Sequence, residues 1–457
     1  MTGLSPETVT SPTNAHGLCG PGGLPDLGAP REPITPQEVE RIRRDFPILA
    51  RKVRSGHELI YLDTAATAQR PSCVMDAMTW FANNNYAAVN RGAHLLGEES
   101  TEAFEDARAR VARFFGATPS EIVFTSGTTA ALNLIALSLG ELAQGEPPAS
   151  SAVPHICPGD RIVVTQAEHH ANLVPWQRLA ARTGAELAWI DAGPDGRLNL
   201  ESLAALIDSR TRVLAFTHAS NVTGAVTDVA RLVEAARSVG ALTVLDAAQS
   251  APHLPVDFRA LGVDLAAISA HKMLGPNGIG ALYGRREVLE QLPPVFTGGS
   301  MVEIVTMTEA TFCPPPGRFE AGTQPVTEAI GWAAALDYLS HLGMDRLAER
   351  EAKLTARLLD AVTGIPGVRL LGPADPADRL GVVALDIEGV HPHDAGQYLD
   401  DRGIAVRVGH HCAQPIHRAL GVRASTRASV GLYNTEAEID AFAEALANVR
   451  PYFGATQ

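Results

Sequence analysis

The chain has 457 residues, 46% of them apolar and 19% charged, with a formal net charge of −14. That length and apolar share suit a two-domain enzyme and exclude wholesale disorder. The acidic balance argues against nucleic acid or an anionic membrane as the main partner, and no run of about 18 apolar residues is available to span a bilayer.

Residues 1–34 are rich in Gly, Pro, Ser and Thr and carry no apolar periodicity, so a disordered extension is expected. They lack a basic run followed by an apolar run, so no secretory leader is expected either. Order is expected from Thr35, which can cap a helix with Pro36 in its first turn and Glu38 completing a capping box. A second soft stretch, 144–158, reads as a surface loop. Between them and onward, short apolar runs alternate with amphipathic segments. Strands are predicted at 122–125, 161–165, 186–190, 212–217, 242–246, 265–269 and 280–283, with helices between several of them. This alternation predicts an α/β domain with a mainly parallel seven-stranded sheet, which binds ligands at its strand ends. After about residue 319 two long helices (326–342 and 344–362) lead into short strands and a last helix near 436–449, which reads as a smaller α+β domain.

Five cysteines are scattered at Cys19, Cys73, Cys157, Cys313 and Cys412, with no CxxC pair. No metal-binding residues and no disulfide framework are expected, and free thiols in a cytoplasmic setting are the simpler reading.

Only three lysines occur: Lys52, Lys272 and Lys353. Lys52 and Lys353 lie in charged stretches and read as solvated. Lys272 follows the apolar run Leu265-Ala266-Ala267-Ile268 in Ser269-Ala270-His271-Lys272. Burial there lowers the pKa of the amine and frees it to form a Schiff base with an aldehyde cofactor; a salt-bridged structural lysine is the alternative. Other strand ends carry matching parts. Ser126-Gly127-Thr128-Thr129 opens a helix, where amides and hydroxyls suit a phosphate, although such sequences also make ordinary helix starts. Asp246 ends a strand and can pair with a pyridinium nitrogen or simply cap a helix. His169, in Glu168-His169-His170, could stack on a ring. Cys412 sits beside His410 and His411, near Arg407, a polar setting that favours a thiolate over a buried inert thiol.

Taken together with Tyr61-Leu62-Asp63-Thr64-Ala65-Ala66, Ser220-Asn221-Val222-Thr223-Gly224, Asp246-Ala247-Ala248-Gln249, Arg318-Phe319-Glu320-Ala321-Gly322-Thr323 and Arg407-Val408-Gly409-His410-His411-Cys412, these segments resemble the cysteine desulfurases. The resemblance spans about residues 36–451 and is nearest the SufS-type (group II) branch, which also shows selenocysteine lyase activity. It implies the α/β fold of the fold type I pyridoxal-phosphate-dependent transferases. Residues 35–60 would pack on the small domain, 61–318 form the large cofactor-binding domain, and 319–457 form the small C-terminal domain carrying the catalytic cysteine loop.

By the same resemblance, Lys272 is the lysine that bonds pyridoxal 5'-phosphate and His169 stacks on its ring. Asp246 meets the ring nitrogen, and Asn221 and Gln249 lie near the ring hydroxyl. Thr128, Thr129, Ser269 and His271 belong to the phosphate site. Thr323 matches a phosphate ligand given by a second subunit, which implies a homodimer with shared active sites. Arg427 matches the arginine that holds the substrate carboxylate, with Arg407 and Asn221 beside it. Cys412 matches the sulfur-accepting cysteine. The implied substrate is L-cysteine, with L-selenocysteine as its counterpart. His393, in His391-Pro392-His393-Asp394, resembles a histidine that meets a SufU-type acceptor; a plain surface histidine, or a SufE-type acceptor, is the alternative. The chain departs from the pattern at Ala270, where glycine is common, at Asn90, where histidine is frequent, and at Gln324, where proline is usual.

Overall fold

The computed structural model describes residues 32–90, 92–145 and 151–455. The expected disordered extension therefore lies outside the described residues up to residue 31, as do Arg91 and part of the expected surface loop. Thr35 caps helix α1 (Pro36–Arg44), its hydroxyl accepting from the Glu38 amide at 3.2 Å.

The large sheet is built from β1 (Ile122–Thr125), β2 (Arg161–Thr165), β3 (Glu186–Ile190), β4 (Thr211–Thr217), β5 (Leu242–Asp246), β6 (Leu265–Ser269) and β7 (Gly280–Gly284). Their spatial order is β1-β7-β6-β5-β4-β2-β3; β7 runs antiparallel to both neighbours and the other pairs are parallel. Alternate residues leave by opposite faces, as the period of a strand requires. Val163, Leu214 and Leu245 enter one apolar cluster, while Ile162, Val164, Val213 and Val244 enter another. Helices α2 (Ser72–Asn84), α3 (Leu95–Phe114) and, further along, α6 (Val229–Val239) contribute to the first cluster. Helices α4 (Thr128–Leu142) and α5 (Val174–Thr183) contribute to the second. Both faces are covered, which is why these strands read as nearly continuous apolar runs.

Helix α7 (Val326–Leu342) packs on α2 and α3. The turn before it is fixed by a buried ion pair. Arg108 on α3 gives Glu320 two hydrogen bonds, of 2.6 and 2.8 Å, and a third to the carbonyl of Ile122. Glu320 in turn accepts from the Phe124 amide. Both side chains are buried, and losing Glu320 leaves Arg108 with only the half-exposed Glu105, at 2.9 Å, as a carboxylate partner. Glu320→Ala is expected to cost about 3–5 kcal/mol, read as a lower midpoint of denaturant unfolding, with Glu320→Gln milder.

The second sheet follows α8 (Met344–Thr363). It holds β8 (Val368–Leu371), β9 (Val382–Ile387), β10 (Arg407–Gly409) and β11 (Ser425–Ser429) in the antiparallel order β8-β9-β11-β10. Helices α9 (Pro392–Asp400) and α10 (Glu436–Ala447) join α8 over its own apolar cluster. The N-terminal segment reaches both regions. Ile60–Tyr61 pairs in parallel with Ile404–Ala405, and Arg43 meets Glu438 at 2.9 Å, whereas Ile42 and Phe46 enter the cluster beneath the large sheet.

Candidate active site

The carboxyl ends of β2, β4, β5 and β6 converge on a cavity of about 150 Å³. Thr128, Thr129, His169, Asn221, Asp246, Gln249, Ser269, His271, Lys272 and Arg407 all line it. Lys272 stands on the short turn after β6. By surface area it is half-buried, because what it faces is the cavity itself. Desolvation pushes its ammonium down to about 8, with the Asp246 carboxylate opposing that shift.

Asp246 closes β5. It is buried, accepts from the Ala248 amide at 3.0 Å, and has its carboxyl raised by desolvation against the pull of Lys272. A strand-end carboxylate with no guanidinium on it is costly to keep charged, so a cationic partner inside the cavity is favoured. His169 accepts the Ala171 amide on Nδ1 at 3.1 Å, which leaves the proton on Nε2. Burial, seconded by Lys272, pushes its imidazole down to about 3, so it is a neutral ring.

Arg407 brings a cation to the cavity from the second sheet. Arg407 on β10 and Arg427 on β11 are direct cross-strand partners, an arrangement unfavourable for like charges unless an anion joins them. Arg427 is fully buried; it donates to the Asn221 carbonyl at 2.9 Å and to Asp63 at 3.1 Å, while its Nε has no partner. Desolvation pushes it down to about 10. Arg407 Nη2 lies 3.8 Å from the sulfur of Cys412. The cysteine turn is tied to the cavity, since Asn221 Nδ2 donates to the His411 carbonyl at 2.6 Å. An amine, a buried carboxylate, a neutral imidazole, paired guanidiniums and a thiol thus meet at one place.

Residues 60–442 match the class-V aminotransferase family. A protein described as a probable cysteine desulfurase 2 of Mycobacterium leprae is 49% identical over 92% of this chain and 99% of its own length. The apo cysteine desulfurase of Thermococcus onnurineus superposes with a TM-score of 0.83 at 36% identity, covering 92% of this chain and 99% of that one. The Escherichia coli cysteine desulfurase CsdA gives 0.79 at 36% identity, covering 91% and 98%. The chain belongs to the class-V aminotransferase family, among its cysteine desulfurases. Its cofactor is pyridoxal phosphate.

The residues of this desulfurase fit that group on their own evidence. Gln249 Nε2 is held by the Ala65 carbonyl at 2.8 Å, yet its Oε1 is buried without a partner and the residue lines the cavity. Such an acceptor suits the ring hydroxyl. At the phosphate end Gly127 has φ of +139°, a conformation side chains rarely adopt, and a Cβ there would meet Ser269 Oγ at 3.2 Å. The Thr128 amide donates to that same Oγ at 2.8 Å, so hydroxyls and first-turn amides of α4 share one corner of the cavity. Because only the neutral amine bonds an aldehyde, cofactor uptake by the apoenzyme is expected to quicken as pH rises through about 8. The time course of absorbance after adding pyridoxal phosphate checks this.

Some assignments lie elsewhere. Thr323 is exposed and lines no part of this chain's cavity. His393 is exposed at the start of α9, its ring stacked on His391 at 5.5 Å. Sequence reasoning missed Thr217, which lines the cavity, and the pairing of Asp63 with Arg427. It also missed Glu168, a buried carboxylate that accepts from Thr165, Asn172 and the Thr217 amide and so ties β2 to β4 just before His169. Cys157 also has a histidine close by: His155, two residues earlier, sets its Nδ1 3.3 Å from the sulfur.

Proposed function

We propose that this chain converts L-cysteine to L-alanine, carries the sulfur as a persulfide on Cys412, and supplies it to a SufU- or SufE-type acceptor for iron–sulfur cluster assembly. L-selenocysteine is the second substrate, the cytoplasm the location, and a homodimer the working form, with Thr323 of the partner subunit completing each phosphate site. The single observation that carries this reading is Cys412 beside Arg407, a residue that lines the cavity with Lys272 and Asp246.

Roles follow from the chemistry of each side chain. Arg427 and Arg407 hold the substrate carboxylate, which relieves their mutual repulsion. Asp246 stays anionic against the ring nitrogen, and His169 covers the ring face as a neutral imidazole. Thr128, Thr129, Ser269 and His271 hold the phosphate, and Asn221 and Gln249 the ring oxygen. Bound pyridoxal phosphate supplies the electron sink that acidifies the substrate Cα–H and weakens its Cβ–S bond. Lys272 would take the Cα proton on its neutral Nζ. The Cys412 thiolate then attacks the substrate sulfur; an S–S bond forms as the Cβ–S bond breaks, and the electron pair left on carbon takes a proton to give alanine. The guanidinium of Arg407 lies 3.8 Å from the attacking sulfur of Cys412.

The test is to incubate the purified, cofactor-loaded protein with cysteine and map its peptides by mass. One added sulfur on the Cys412 peptide, with stoichiometric alanine, is expected. Turnover that depends on a 2-oxoacid, with Cys412 unmodified, would mark an aminotransferase instead. For the acceptor, His393→Ala is expected to abolish stimulation by a SufU-type protein, several-fold at least, and to leave basal alanine release unchanged. Stimulation by a SufE-type protein alone would reassign the partner.

A further inference from the structure

Cys412 stands in a backbone conformation that needs holding. His411 and Cys412 have φ of +49° and +57°, left-handed values that non-glycine residues adopt only where their surroundings enforce them. Two restraints are on the backbone of the turn. The His411 carbonyl accepts from Asn221, and the Cys412 carbonyl accepts from the His170 amide at 2.7 Å. His170 Nε2 also accepts the Gln414 amide at 3.1 Å.

The third restraint is on a side chain and is buried. His411, His417 and Ser425 are 2%, 1% and 0% exposed. Ser425 Oγ lies 2.9 Å from His411 Nε2 and 3.0 Å from His417 Nε2. His417 Nδ1 lies 2.9 Å from the Ala413 carbonyl, which can only accept. That contact fixes the direction of every bond in the chain. His417 donates from Nδ1, so its neutral ring accepts on Nε2 and the Ser425 hydroxyl donates to it. Ser425 Oγ then accepts from His411 Nε2–H. His411 Nδ1 is left as a buried lone pair, and it has no partner. One hydroxyl therefore ties the residues on either side of Cys412, His411 directly and Ala413 through His417.

We propose that Ser425 is a positioning residue for the Cys412 nucleophile, holding its turn in the left-handed form that sets the sulfur beside Arg407. The proposal rests on the sulfur-accepting role of Cys412 given above. It assigns Ser425 no contact with substrate or cofactor, so its loss should slow sulfur transfer and leave cofactor and substrate binding intact.

The experiment uses the cofactor-loaded enzyme with cysteine. Ser425→Ala leaves His411 Nε2–H and His417 Nε2 buried without partners. Its kcat for alanine release is expected to fall on the order of tenfold, with KM for cysteine and the cofactor absorbance unchanged. The rate at which iodoacetamide alkylates Cys412, followed by peptide mass, should change in the same variant. Ser425→Thr keeps the hydroxyl on a residue suited to a strand and should restore both. Wild-type kcat in Ser425→Ala overturns the proposal. So does a Ser425→Thr as slow as Ser425→Ala, or a loss of absorbance that parallels the loss of kcat. Cys412→Ala serves as the control: wild-type turnover there overturns the sulfur-transfer reading itself, whatever Ser425 does.

Discussion

Cys412→Ala is expected to keep the cofactor absorbance of the wild type and to lose desulfuration of cysteine by about 10³-fold or more. The two readouts separate because the residue has two kinds of neighbour. Its sulfur faces Arg407, on the substrate side of the cavity, and lines no part of the pocket around Lys272 and Asp246. Cofactor binding therefore has nothing to lose. Under the proposed mechanism the reaction loses its route for breaking the Cβ–S bond with sulfur captured, since there the thiolate both attacks the sulfur and holds it. Alanine substitutes for cysteine without strain beyond what the turn already carries at φ +57°. Selenocysteine offers a sharper arm: its weaker carbon–selenium bond should let the variant retain more turnover with selenocysteine than with cysteine. Equal, wild-type turnover of cysteine in the variant would remove Cys412 from the mechanism.

Where a cavity-lining residue ends an apolar strand, the sequence alone located it. Asp246 follows Leu242-Thr243-Val244-Leu245, and Ser269 and Lys272 follow the run from Leu265 to Ile268; both strands are fully buried in the fold. The signal is local, because a buried strand must be apolar and its carboxyl end is where a ligand can sit. The same logic placed the phosphate corner, since a helix opening directly after β1 needs Gly127 in an unusual conformation.

What the sequence did not disclose depends on pairing across the chain. Arg108 and Glu320 are 212 residues apart, and Asp63 and Arg427 are 364 apart. Nothing in the neighbourhood of either arginine announces its partner. The hydroxyl of Ser425 is silent for a different reason. A serine in Ser425-Thr426-Arg427 reads as an ordinary strand residue, and only the meeting of β11 with the cysteine turn and the helix after it brings two imidazoles to one oxygen. Glu168 was visible within its motif, and its donors Thr165 and Asn172 are its neighbours in sequence, but its third donor, the Thr217 amide, follows from the β2–β4 contact. The Arg407–Arg427 register likewise needs the antiparallel pairing of β10 and β11 before the two positive side chains face each other.

Lys272→Ala is expected to lose the absorbance of lysine-bonded cofactor and to cut alanine formation by about 10³-fold or more. Two separate duties fall on this amine. Under the proposed mechanism it would anchor the cofactor and would carry the Cα proton, a contribution worth about 10²–10⁴-fold by itself. No other lysine can take over, since Lys52 and Lys353 line no part of the cavity, and His169 is held neutral with its Nδ1 already accepting from Ala171. Its environment explains why a lysine works there. Desolvation brings the amine down to about 8, so a useful fraction is neutral near neutrality, while Asp246 prevents a further fall. Asp246→Asn removes that opposing charge and should lower the lysine further. Apoenzyme uptake of cofactor should then begin at lower pH than in the wild type, even as turnover falls for want of a partner to the ring nitrogen. An Asp246→Asn whose uptake profile matches the wild type, measured beside an inactive Lys272→Ala, would show that the two groups do not interact across the cavity.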